Sequence, residues 1–178
     1  MKKKLITVLT VMLLAVLGLT TTSLPSGAQT EPLPIAVELL TPRSEFTDDV
    51  DLKIRYKLEG AARRRIVHLR DASRTVVARF TVQPGAQFPW HTHPGSVVVN
   101  VTQGELVYVR ADDCVERSYP AGTAFVDPGK ESVHTAFNPT DGVTEIIATF
   151  FGMPETGPLS ITEGIQEPDD CPIEVGSP

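Results

Sequence analysis

Residues 88–96 read FPWHTHPGS and hold two of the four histidines in a chain of 178 residues. His91 and His93 stand at i and i+2. In an extended backbone, residues two apart point to the same side. The two imidazoles therefore project together, as two ligands of one metal ion would. Whether an extended frame exists around them depends on the sequence on either side.

That sequence has a period of two. VDLKIRYKL (50–58) puts Val50, Leu52, Ile54, Tyr56 and Leu58 on one face and charges on the other, the pattern of a half-buried strand. RTVVARFTV (74–82) repeats it with Val76, Ala78, Phe80 and Val82. VVVNVT (97–102), the pair Gln103-Gly104, and ELVYVR (105–110) read as a hairpin. CVERSY (114–119), TAFVDPG (123–129), SVHTAFN (132–138) and TEIIATFF (144–151) supply further strands between turn residues. No amphipathic helix of ordinary length and no long repeat interrupts them. Short strands with frequent turns predict an all-β fold, an antiparallel sandwich or barrel.

A third histidine, His134, lies on one of the later strands. It shares its face with Ala136 and Asn138, while Val133, Thr135 and Phe137 make the other face. Inside a barrel, that strand can bring a third imidazole to His91 and His93. Two stretches carry a resemblance. GAQFPWHTHPGSVVVNVTQG (85–104) resembles the first cupin motif, G(x)5HxH(x)3-4E(x)6G, through Gly85, His91, His93 and Gly104. GTAFVDPGKESVHTAFN (122–138) resembles the second, G(x)5PxG(x)2H(x)3N, through Gly122, Pro128, His134 and Asn138. In the second motif the glycine follows Pro128 directly, and one extra residue precedes His134. The surrounding words also look like a group of small exported bacterial cupins.

The resemblance implies a single small barrel of jelly-roll type, similar to the RmlC-like cupins, with one metal inside. It implies His91, His93 and His134 as ligands. The family's fourth ligand is a glutamate of the first motif, and its slot here holds Val97; nothing acidic lies between His93 and Gly104. A set of three neutral imidazoles suits Zn, Cu, Fe or Ni better than Mg or Ca; Mn is also open. Three function classes follow: a metal-binding cupin, a metal-free barrel for a small molecule, and a three-histidine iron dioxygenase. If the protein is an enzyme, a metal-dependent oxidoreductase or an isomerase is expected. No substrate is legible, and no Ser-His-Asp order, phosphate loop or CxxC occurs.

Other residues read more plainly. His68 is a surface or strand-edge histidine. Phe88 and Trp90 are packing residues of the core or barrel mouth. Tyr108 is packing with a hydroxyl that could face a cavity. Asp127, before Pro128-Gly129, reads as a turn residue. Asn138 reads as the fastener of the turn that follows it. The run Arg63-Arg64-Arg65 reads as a solvated turn.

Residues 1–28 have the layout of a secretory signal peptide: Lys2 to Lys4, an apolar run from Leu5 to Leu19, and Ser26-Gly27-Ala28 before Gln29. An uncleaved anchor is the alternative. Cleavage after Ala28 leaves 150 residues with 13 basic and 22 acidic groups, a formal charge of −9. Such a surface argues against nucleic acid and anionic lipid as partners. A small-molecule ligand and a homodimer are the partners expected. Residues 29–34 read as a flexible linker, 35–153 as the barrel, and 154–178 as an irregular tail. In a secreted or periplasmic protein, Cys114 and Cys171 form an even pair that favours a disulfide holding that tail; a thiolate ligand or nucleophile is the alternative.

Overall fold

The computed structural model describes residues 33–72 and 74–173. The expected signal peptide (1–28) and most of the expected linker lie outside the described residues. The described residues form eleven strands and no helix. The strands are β1 (Ile35–Leu39), β2 (Ser44–Glu45), β3 (Leu52–Tyr56), β4 (Arg65–Leu69), β5 (Arg74–Val82) and β6 (Val97–Gln103). They continue as β7 (Glu105–Arg110), β8 (Arg117–Pro120), β9 (Ala124–Asp127), β10 (His134–Phe137) and β11 (Thr144–Phe151).

One sheet has the order β1-β5-β11-β6-β9, with β2 also on β5; a second is β10-β7-β8; β3 and β4 pair by themselves. Every pairing is antiparallel. The all-β, jelly-roll expectation is met. The core lies where the alternating faces meet. Val76, Ala78, Phe80 and Val82 of β5 pack with Val97, Val99 and Val101 of β6 and Ile146, Ala148 and Phe150 of β11. Leu106 and Tyr108 of β7, Phe125 of β9 and Ala136 of β10 close it from the other side. Val76, Val97 and Phe150 are each 1% exposed, and each such side chain stabilises the fold by roughly 1.5–3 kcal/mol relative to exposure.

The expected hairpin across Gln103-Gly104 does not form. β6 belongs to the larger sheet and β7 to the smaller, so the chain changes sheets there. Gly104 makes that corner with φ +70°, and a Cβ on it would lie 2.5 Å from Oγ1 of Thr144. The physical reason is visible in β7, which is buried on both faces. Its inner face joins the core, while Val107 and Val109 pack outward against Trp90, Phe137 and Cys171. The tail supplies part of this cover through Ile165 and Ile173. The structure joins Cys114 to Cys171, with Cα atoms 5.3 Å apart and a sequence separation of 57. Arg65 starts β4 instead of lying in a turn.

Candidate metal centre

His91 and His93 do not sit in a regular strand. His91 and His134 instead form an isolated antiparallel bridge, exchanging N–H···O bonds of 2.9 Å in both directions. Around it, Phe88 N–H donates to the carbonyl of Ala136 at 2.8 Å, and Gly85 N–H to that of Asn138 at 3.1 Å. Residues 86–91 thus run alongside β10 through isolated bridges at Gln87 and His91. Directly paired residues share a face, which brings His91 and His134 together. The i, i+2 relation then adds His93. All three are buried, at 5%, 6% and 3% exposure for His91, His93 and His134. One ring nitrogen from each lies within 4.8 Å of the others.

The other ring nitrogen of each histidine is committed. Nδ1 of His91 lies 2.7 Å from the carbonyl oxygen of Pro89, that of His134 3.1 Å from Ser132 O, and that of His93 2.8 Å from Leu159 O in the tail. A carbonyl oxygen only accepts, so each Nδ1 carries the proton and donates. In the neutral ring Nε2 then holds the lone pair, the tautomer a metal-binding histidine needs. Burial, then the neighbouring His134 and His93, lowers the pKa of His91 to about 3, so its imidazole is neutral and ready to coordinate.

A fourth group stands beside them. Asp127 ends β9 and is 1% exposed. Its Oδ1 accepts the N–H of Gly129 at 2.8 Å, which is the turn role its sequence context suggests. Its Oδ2 lies 2.9 Å from Nε2 of His134 and 3.3 Å from Nε2 of His93, without a well-aligned hydrogen bond to either. Burial raises its pKa, but the His134 and His93 imidazoles outweigh that and hold the carboxyl below its ordinary range. Reading Asp127 as a turn residue alone missed its place beside His93 and His134. The signal available was the missing acidic residue between His93 and Gly104, which leaves a carboxylate to be sought on a neighbouring strand.

The segments carrying His93 and Asp127 interlock. Lys130 N–H donates to His93 O at 2.6 Å, and Ser96 Oγ to Pro128 O at 2.9 Å. Gly129 has φ +65°, and a Cβ there would lie 1.9 Å from the carbonyl oxygen of Gly95. Only glycine allows this approach.

The histidines open onto a cavity of ≈ 50 Å³ whose lining includes Phe80, Phe88, Tyr108, Phe125 and Phe150. Tyr108 sits with its ring 5.1 Å from that of His134. Burial, reinforced by the charge of Asp127, pushes its phenol well above the ordinary value, so it remains a proton donor. The hydroxyls of Tyr108 and Ser132 are both buried without a well-formed hydrogen bond. Trp90 packs away from the cavity, in the cluster under the tail. His68 lies on β4, exposed and 2.6 Å from Asp51 Oδ1, apart from the three. Asn138 donates to Val82 O and Gly142 O and accepts from Thr140, fastening the turn as expected.

One nitrogen from each of three imidazoles converges on one buried point, and Asp127 Oδ2 stands beside two of them. A buried carboxylate beside such a set calls for a cation, and three imidazole nitrogens suit a divalent transition metal.

Residues 78–150 match the family model Cupin_2, described as a cupin domain. A (R)-mandelonitrile lyase of Granulicella tundricola is 35% identical over 69 residues, 39% of this chain and 52% of that one. The chain thus spans about half the length of the curated relative it matches. Among solved structures, a cupin-like protein of Thermotoga maritima is 28% identical over 43% of this chain and 56% of its own, with a TM-score of 0.40. The Cupin_2 domain of an XRE family transcriptional regulator of Enterobacter cloacae is 16% identical, over 68% of this chain and 99% of its own, with a TM-score of 0.45. The family match takes in both histidine motifs and the three buried histidines that face one point, so residues 78–150 of this chain carry a cupin domain.

Proposed function

We propose that this cupin holds one divalent transition metal through Nε2 of His91, His93 and His134, and presents it to a small ligand in the aromatic cavity. The observation that carries this reading is the tautomer pattern: three Nδ1 donors engaged by three carbonyls, three Nε2 lone pairs turned to one place. A metal-free binding barrel would not need that arrangement. When bound, the metal would act as a Lewis acid on an oxygen of the ligand. The chain's own groups set the rest. Phenylalanines limit the ligand to a small, largely apolar body. The Tyr108 hydroxyl can donate a hydrogen bond to a polar atom on it.

The metal is Zn, Cu, Fe, Ni or Mn. The relative's name supplies a first reaction to try, the cleavage of mandelonitrile. A three-histidine iron dioxygenase is the weaker reading, because a carboxylate stands within the site. We also propose that residues 1–28 are removed on export and that the mature protein works outside the cytoplasmic membrane. The Cys114–Cys171 disulfide supports this, since such bonds persist in oxidising compartments.

The test is elemental analysis of the exported protein, purified without a metal-affinity tag, beside a His91→Ala/His93→Ala variant. About one metal per wild-type chain and little in the variant supports the reading. Equal, negligible metal in both overturns it and favours the metal-free barrel. Mass spectrometry of the same sample tests cleavage: retention of Lys2 to Lys4 would refute it.

A further inference from the structure

We propose that Asp127 is the fourth protein ligand of this metal, replacing the glutamate that Val97 displaces. This inference rests on the metal-binding reading above. Val97 opens β6 and Asp127 ends β9, and the two are direct partners across the antiparallel pair. Directly opposed side chains project on the same face. A carboxylate at 127 therefore arrives at the wall of the barrel that Val97 occupies, from one strand over. The family's ligand has not been lost from this site; it has crossed the ladder.

Three further observations support the assignment. The first is spacing. Two ligand atoms at about 2.1 Å from one ion, 90–110° apart, are about 3.0–3.4 Å from each other. Asp127 Oδ2 stands 2.9 and 3.3 Å from two of the Nε2 atoms. The second is division of labour within the carboxylate. Oδ1 is held by Gly129 N–H, so Oδ2 is aimed and free to bind. The third is charge. Among the described residues no lysine or arginine forms an ion pair with Asp127; the groups that face its Oδ2 are the imidazoles of His93 and His134. A buried carboxylate costs several kcal/mol unless a cation answers it. A divalent ion between four such atoms does so, and the carboxylate in turn neutralises half of the ion's charge. The site then differs from a three-imidazole one in charge and in the metals it accepts, with harder ions such as Mn²⁺ and Fe²⁺ drawn in.

The experiment uses full mature protein, stripped of metal and titrated with Zn²⁺ and Co²⁺ against a chromophoric chelator. Wild type is compared with Asp127→Asn, Val97→Glu, the double variant and His91→Ala. Asparagine keeps the oxygen that caps Gly129, so the turn survives. We expect Asp127→Asn to weaken binding by more than the roughly 10–100-fold typical of a residue that only orients a ligand, and to change the visible spectrum of bound Co²⁺. Val97→Glu alone should not tighten binding, since it sets a second carboxylate beside the first. In the Asp127→Asn background it should restore affinity. An infrared shift of the carboxylate stretch on Zn²⁺ addition, in wild type labelled with ¹³C-aspartate, tests the assignment without any variant. The proposal is overturned if Asp127→Asn leaves the cobalt spectrum unchanged, or if the labelled stretch does not move, while His91→Ala abolishes binding. In that case the three-histidine site stands alone. If wild type binds no better than His91→Ala, both readings fall together.

Discussion

Acidifying the metal-free protein should destabilise it in a window where its carboxylates are still ionised, and His91 is the cause. Buried first, and then set beside His134 and His93, its imidazole has a pKa lowered to about 3 from an ordinary 6.5. Between those values the unfolded chain binds a proton that the folded chain does not. Stability is thus unaffected above 6.5, falls as the pH drops through the window, and levels off near 3 for this group. Well inside the window the slope is about 1.4 kcal/mol per pH unit. Going from pH 6.5 to 4.5 should therefore cost on the order of 2–3 kcal/mol, an upper figure because the site can relax. For a domain of this size that lowers Tm by roughly 5–10 °C. Asp127 does not add to this loss: its folded pKa is depressed, so its contribution is lost only below the ordinary aspartate range. The assay is thermal melting in a chelator at pH 7.5, 6.5, 5.5 and 4.5, for wild type and His91→Gln. Glutamine does not titrate, so its Tm should fall by less across the window. Equal falls in both proteins would refute the reasoning.

Other predictions are shorter. Gly129→Ala should cost about 2 kcal/mol or more, from backbone strain at positive φ and collision with Gly95 O; urea unfolding measures it, and metal affinity should fall as well. Replacing Cys114 and Cys171 by serine should destabilise by about 2–4 kcal/mol, given the long loop the disulfide closes; chemical denaturation under identical redox conditions checks this. Phe150→Ala should cost about 3–5 kcal/mol and enlarge the cavity, so that ligands bulkier than those of wild type bind in a calorimetric screen.

Much of the barrel could be read from alternation. β3, β5 and β11 alternate as half-buried strands do, and each was expected close to where it lies. Where alternation fails, so did the reading. ELVYVR is apolar on both faces because two different layers cover it, so its pairing partner could not be taken from its nearest neighbour in sequence. β1, β2 and β4 lie at edges or apart from the main sheet and carry weaker patterns. The histidines were visible because they come in a short local spacing. Asp127 was not, because its relation to the site depends on the register of β6 with β9, a non-local fact. Asp-Pro-Gly is also a strong turn signal, and here the same residue holds the turn and stands beside two of the histidines.

The tail matters in a way the barrel boundaries do not suggest. Leu159 O fixes the ring of His93, and Thr92 and Ile161 exchange two backbone hydrogen bonds, of 3.0 and 2.8 Å, beside it. A segment more than sixty residues downstream of His93 is thus a working part of the centre, anchored at its far end by a covalent bond. An isolated barrel cut after residue 153 would keep all three histidines yet leave the ring of one free to turn. Whether the bond between Cys114 and Cys171 is formed or broken thereby reaches the imidazole of His93.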